Sequence, residues 1–322
     1  MHFDYKKFDR KGLEIVSLYY IDEESNDRKE IWVSPGHGMN LCRYKVNGLT
    51  IVDFDPDEVR DSFSGNPLLY PTPNRVLDGV FTYKGKQYPQ VRNGKPIMIN
   101  GLVHNEPFRD VEVSKTEDSI SISAHIDFYE KNHLYQSFPF SHRLDIAYTL
   151  DKAGARFSYS IESHEKEESI PYGIAIQPFF KKIDGDTSTV IRAPYRFTYK
   201  TTKDLIPTGE LVPVDDDTDL SDYRSVGALN LDTVFTGNQN NEPASIIYSR
   251  TGLKITLECS SDFTHMVICT PKDKPFFCME NQTCATNAHN LYEQGRKEIS
   301  GLKFVEPGSR ISGYVKFTTE RI

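Results

Sequence analysis

The feature that most limits what this chain can fold into is a strict two-residue alternation that returns along its length. In residues 119–129, SISISAHIDFY, Ile120, Ile122, Ala124, Ile126 and Phe128 fall on one side, and serines begin the other. Only an extended strand, whose successive side chains point to opposite faces, turns that spacing into one apolar face. Residues 146–161 repeat the device. Ile146, Tyr148 and Leu150 precede a D-K-A-G turn, and Ala155, Phe157, Tyr159 and Ile161 follow it, which predicts a hairpin. The stretch VFTYKGKQYPQV (80–91) predicts another around Lys84-Gly85-Lys86. Asn47-Gly48, Asn93-Gly94 and Asp184-Gly185 add turn signals. Helical spacing is confined to residues 55–63 and 287–295. Together these patterns predict an all-β protein, a β-sandwich of large antiparallel sheets in a single domain over residues 1–322. The acidic run VDDDTDLSD (214–222) reads as a solvated loop.

Composition removes several functional classes. Acidic residues outnumber basic ones, 46 to 38, for a net charge of −8. No dense Lys/Arg block is available to track phosphates, so nucleic acid is not an expected partner. No stretch approaches the roughly 18 apolar residues of a membrane span, and MHFDYKKFDRKG lacks the apolar core of a secretory signal. No membrane association and a cytoplasmic location are therefore expected. The five cysteines show no CxxC spacing, so reduced structural thiols are expected and no metal site. DFDPDEVRDSFS (53–64) opens with the rhythm of a calcium loop, but Glu58 stands where the turn needs glycine and Ser64 where it needs a bidentate glutamate. HExxH, G-x-S-x-G, Walker and G-x-G-x-x-G patterns are all missing. Asn281-Gln282-Thr283 is a glycosylation sequon, read as coincidence.

Chemistry concentrates instead in YPTPNRVLDG (70–79), INGLVHNEPFRD (99–110) and PFFCMENQTCATNAHNL (275–291). Each sets chargeable side chains among Gly, Pro and Asn at the end of an apolar run, where loops carry function on a β scaffold. With SPGHGMNLCRYKVNGLTIV (34–52), FPFSHRLDIAYTL (138–150), LDTVF (231–235) and EPGSRISGYVKF (306–317), these stretches resemble, in order, the aldose 1-epimerases, or mutarotases, of the galactose mutarotase-like family. The resemblance implies a supersandwich fold, no cofactor and a hexose or hexose derivative as substrate; a monomer or homodimer is expected. It also implies roles. Asn74-Arg75 matches a sugar-contacting pair, His104 a substrate-binding histidine, Asp232 a residue contacting sugar hydroxyls, and Glu280 the catalytic base.

A mutarotase opens the pyranose ring, rotates about C1–C2 and closes the ring on the other face. A base takes the anomeric proton while an acid protonates the ring oxygen. Burial among Phe276, Phe277 and Met279 would raise the Glu280 pKa toward the working pH. Arg75 offers a forked donor set for sugar oxygens, or for a phosphate or sulfonate. GIAIQPFF (173–180) looks like the family's G-x-H-P-Y-F, in which histidine is the general acid, and this chain carries Gln177 in that column. An amide donates a hydrogen bond but surrenders no proton at neutral pH. Three expectations stay open: His104 acts as the acid, water or a tyrosine such as Tyr172 relays the proton, or the protein binds a sugar without efficient epimerisation.

Overall fold

The computed structural model describes residues 1–54, 64–92 and 94–322. The helical spacing over 55–63 and the first residue of the Asn93-Gly94 turn lie outside the described residues. Elsewhere the alternation is realised as read. Residues Ser119–Phe128 form one strand, with Ile120, Ile122, Ala124, Ile126 and Phe128 all buried on its inner face. His142–Asp151 and Gly154–Ser163 form the expected hairpin, with Leu150 opposite Ala155 and Ile146 opposite Tyr159. Its turn is tied by the Asp151 carboxylate, which accepts the backbone N–H groups of Ala153 and Gly154 at 2.7 and 2.9 Å. Lys84-Gly85 closes the hairpin of Val80–Tyr83 and Lys86–Pro89, both turn residues having the positive φ that a two-residue connection asks for. Residues Ala288–Glu293 supply the expected C-terminal helix.

Two antiparallel sheets dominate the described residues. The larger, of thirteen strands, begins as a meander, His2–Arg10, Leu13–Asp22, Asp27–Ser34, Asn40–Val46 and Leu49–Val52. It then jumps to Phe179–Lys181, and runs on through Phe276–Gln282, His265–Cys269, Asp232–Asn238, Tyr195–Thr201 and Pro207–Pro213. A short strand, Ala175–Ile176, also pairs with Phe276–Gln282, and a second, Leu68–Leu69, pairs with Ala175–Ile176. The smaller sheet orders nine strands, including Ser119–Phe128, His142–Asp151, Gly154–Ser163, Arg310–Arg321 and Leu253–Cys259. One cluster of buried apolar side chains draws on both sheets, with Leu18, Phe180, Phe277 and Met279 from the larger and Ile122, Ile146 and Phe157 from the smaller. Each such side chain contributes roughly 1.5–3 kcal/mol by leaving water, so the two sheets are held face to face by area rather than by any single contact. Among the described residues no helix is long and apolar enough to cross a membrane.

Close backbone approach is most demanding at Gly154. A Cβ there would meet the Phe317 carbonyl oxygen at 1.9 Å. At Gly36, by contrast, a Cβ would find nothing within 4 Å. Gly154→Ala is therefore expected to lower stability by about 1–3 kcal/mol, the usual range for forced overpacking, while Gly36→Ala leaves it nearly unchanged, as read by urea denaturation.

Candidate functional site

The three chemistry-bearing stretches, far apart in sequence, are stitched together by backbone and side-chain hydrogen bonds around Arg75. Arg75 forms a bridge with Ile99, and the Asn100 N–H donates to the Asn74 carbonyl at 2.8 Å. From the third stretch, the Asn287 N–H donates to the Arg75 carbonyl at 3.0 Å, and the Asn287 side-chain oxygen accepts the Leu77 N–H. The residue that must be least free is Asn74, whose φ is +57°. Its side-chain oxygen accepts both the backbone N–H and Nη1 of Arg75, at 2.8 and 3.1 Å. Asn74 thus spends its acceptor on aiming the guanidinium.

Strand pairing builds the centre of the site. Phe179 lies opposite Cys278 and Ile176 opposite Asn281, so the common register places Gln177 opposite Glu280. On the other flank Val267 pairs with Glu280, and Cys269 joins Cys278 to Asp232. Side chains directly opposite in a sheet share a face. Gln177, Glu280 and Asp232 therefore stand on one side of the sheet, Gln177 on the segment next to the Glu280 strand and Asp232 two strands away on the other flank. Arg75 Nη2 meets Asp232 Oδ2 at 3.2 Å, which brings the loop cation onto the same face.

Glu280 is fully buried, with no exposed surface. Burial raises its pKa from 4.5 to about 8; the Gln282 amide, Arg75 and Gln177 pull it down, and Asp232 pushes it up. The Gln282 amide donates to Oε1, and Oε2 has no hydrogen-bond partner among the described residues. The expectation that Phe277 and Met279 surround this carboxyl is corrected by the strand itself. Alternation sends both to the opposite side, where they sit in the core between the sheets. The strand positions that share the Glu280 face are Phe276, Cys278 and Gln282, so Phe276 alone of the three expected neighbours lies on the Glu280 side, and the same period-two rule makes this readable from the sequence.

His104 belongs to the neighbouring loop. Its Nδ1 donates to the Asn100 carbonyl at 3.2 Å, and Nε2 faces Arg92 Nη1 at 3.2 Å. Since the carbonyl can only accept, the neutral ring carries its proton on Nδ1 and accepts from Arg92 on Nε2. Burial and the Arg92 charge lower its pKa to about 4. The backbone of His104 is packed against Gly38, where a Cβ would come within 2.4 Å of the His104 carbonyl oxygen and φ is +63°. No sequence signal marks Arg92, which sits on a two-residue strand, Val91–Arg92, in a polar stretch without a motif. Tyr172 has its hydroxyl 3.3 Å from that of Tyr159, and burial raises its pKa above the usual tyrosine value, so it holds its proton firmly. The sequon residue Asn281 is 1% exposed, so its amide is not presented at the surface for glycosylation.

With this geometry in view, the comparisons with known proteins are consistent. A sequence model of the family described as aldose 1-epimerase matches residues 26–318. The uncharacterized protein YihR of Escherichia coli (strain K12) is 24% identical over 261 residues, covering 79% of this chain and 80% of its own. A galactose mutarotase-like protein from Clostridium acetobutylicum shares the fold with a TM-score of 0.83 at 20% identity, over 99% of both chains. A galactose 1-epimerase from Lactobacillus acidophilus NCFM does so with a TM-score of 0.76 at 12% identity, again over 99% of each.

A carboxyl with a raised folded pKa has a signed effect on stability. Between 4.5 and about 8 the unfolded chain ionises this group and the folded one does not, so its contribution is full at low pH and is lost as pH rises through about 8. Glu280→Gln is therefore expected to stabilise the protein at pH 9, by about a few kcal/mol, and to change little at pH 4. Urea midpoints at the two pH values read the difference.

Proposed function

The chain belongs to the aldose 1-epimerase family, and from that premise we propose that it interconverts the α and β anomers of a hexose or hexose derivative, with Glu280 as the base. The observation that carries this reading is the buried Glu280 carboxyl, with one oxygen that has no hydrogen-bond partner among the described residues and a pKa near 8. A general base works best when its pKa lies near the operating pH, because it must both take and return a proton. In its ionised form Glu280 takes the anomeric hydroxyl proton, C1 becomes a carbonyl carbon, and the C1–O5 bond breaks. After rotation about C1–C2 the C5 hydroxyl attacks the other face of C1, its proton passing back to water, and the same carboxyl returns the proton it took to O1.

The remaining roles follow from what each group can donate or accept. Arg75, aimed by Asn74 and paired with Asp232, presents N–H donors to sugar oxygens, and Asp232 accepts from sugar hydroxyls. His104 is neutral, with Nδ1 held by the Asn100 carbonyl and Nε2 by Arg92; it acts by orienting the Arg92 guanidinium and is a poor proton donor at neutral pH. Gln177 donates a hydrogen bond to the ring oxygen as negative charge develops there, and water supplies the proton. A second reading, a sugar-binding protein with little turnover, is favoured by one observation: an amide at position 177, opposite Glu280, in place of a proton donor.

Anomer exchange followed by polarimetry or NMR over a panel of aldoses separates the two. We expect wild type to exceed the buffer rate and Glu280→Gln to lose about 100-fold or more. No rate above buffer on a sugar that the protein binds would leave only the binding reading. The buffer-corrected kcat/KM should rise from pH 6 and level off above about 8, because Glu280 must be ionised to act. Gln177→His should raise the rate by about 10-fold or more, since general acid catalysis is commonly worth more than that; an unchanged rate would mean that no acid is lacking.

A further inference from the structure

Adjacent residues on a strand face opposite ways, and Asn281 therefore points away from the Glu280 site, to the other side of the larger sheet. There it lines a cavity of about 670 Å³. The cavity opens at one end of the space between the sheets. Asn238 and Asn281 come from the larger sheet, and Ala244 and Cys259 from the smaller. Its volume falls within the range of small-molecule sites.

The cavity has the chemistry of a site as well as the size. Asn281 is 1% exposed, its amide interacts with the Cys259 thiol, and its side-chain oxygen has no hydrogen-bond partner among the described residues. Asn238 donates its amide to the Glu242 carbonyl at 2.9 Å, and its side-chain oxygen is likewise without a partner. A buried polar atom left unpartnered costs free energy, and a polar ligand that satisfies it recovers that cost. Both open atoms are acceptors. The lining holds no Lys or Arg; of its two carboxylates Glu242 is paired with Arg192, and Glu258 is left to disfavour anions and favour a donor-rich molecule. The rings of Tyr195 and Phe263 supply flat apolar surface.

We propose that this cavity is a second binding site, for a small uncharged polyol of sugar type, held by Asn281 and Asn238 and stacked on the aromatic wall. It is distinct from the Glu280 site and does not depend on the epimerase reading. Non-reducing sugars, such as sucrose, trehalose and methyl glycosides, are suitable probes because they have no free anomeric centre to turn over.

The test is titration of the isotope-labelled full chain with these sugars, following the side-chain amide signals of Asn281 and Asn238 by NMR. Saturable shifts of both signals are expected, retained in Glu280→Gln. Asn281→Leu, which replaces an unpartnered amide by an apolar group of similar size, should keep the fold and weaken binding by about 10-fold, the worth of one hydrogen bond. Asn238→Ala at the rim should weaken it in the same direction. The proposal is overturned if no probe shifts the Asn281 signal, if shifts vanish in Glu280→Gln, or if affinity is unchanged in both asparagine variants.

Discussion

The structure turns on one costly act: a carboxyl group is taken wholly out of water at the centre of a β-sheet. Ionised, Glu280 would be strongly disfavoured there, and the environment answers with partial compensation. Two amides, Gln282 and Gln177, and the Arg75 guanidinium favour the charged form, and burial together with Asp232 opposes it. Burial wins by enough to bring the group near neutrality in pH, and not so far that it ceases to titrate in water. That balance depends on distant parts of the chain. The Arg75 loop is held by Asn74, Ile99 and Asn287, each from a different one of the chemistry-bearing stretches.

How much of this is legible in the sequence depends on whether the information is local. Period-two spacing carries the strands, because a residue's face is decided by its neighbours two away, and the Leu150/Ala155 hairpin follows from it. Family resemblance picks out Arg75, Gln177, Asp232 and Glu280, which the sheet brings to one face. The surroundings of Glu280 are less well read. Phe277 and Met279, next to it in sequence, are on the wrong side, and the full burial of the carboxyl comes from strands near residues 177, 234 and 267. Arg92 is invisible for the same reason. Its contact with His104 is made across a loop that no short-range spacing describes. The electrostatics of His104 follow from that contact, so its sequence-level candidacy as an acid and its neutral, depressed state in the fold part company.

A single strand also accounts for the division of labour across the larger sheet. Glu280 and Gln282 look to one side, Asn281 to the other, and the peptide between them is common to both. Polar side chains on both faces of a central strand are unusual in a sheet whose inner face otherwise packs as core, with Phe277 and Met279 fully buried. Stability alone would favour an apolar residue at 281, where the side-chain oxygen finds no hydrogen-bond partner among the described residues. Departures of this kind from an otherwise consistent pattern are where function is expected.

The central claim is the protonation state of one residue, and it can be measured directly. Infrared difference spectroscopy across a pH titration, with Glu280→Gln to assign the band, follows the carboxyl stretch of Glu280 itself. A protonated buried carboxyl at pH 6 that ionises with a midpoint near 8 is the predicted result. A Glu280 band already ionised at pH 6, with a midpoint in the ordinary carboxylate range, would contradict it.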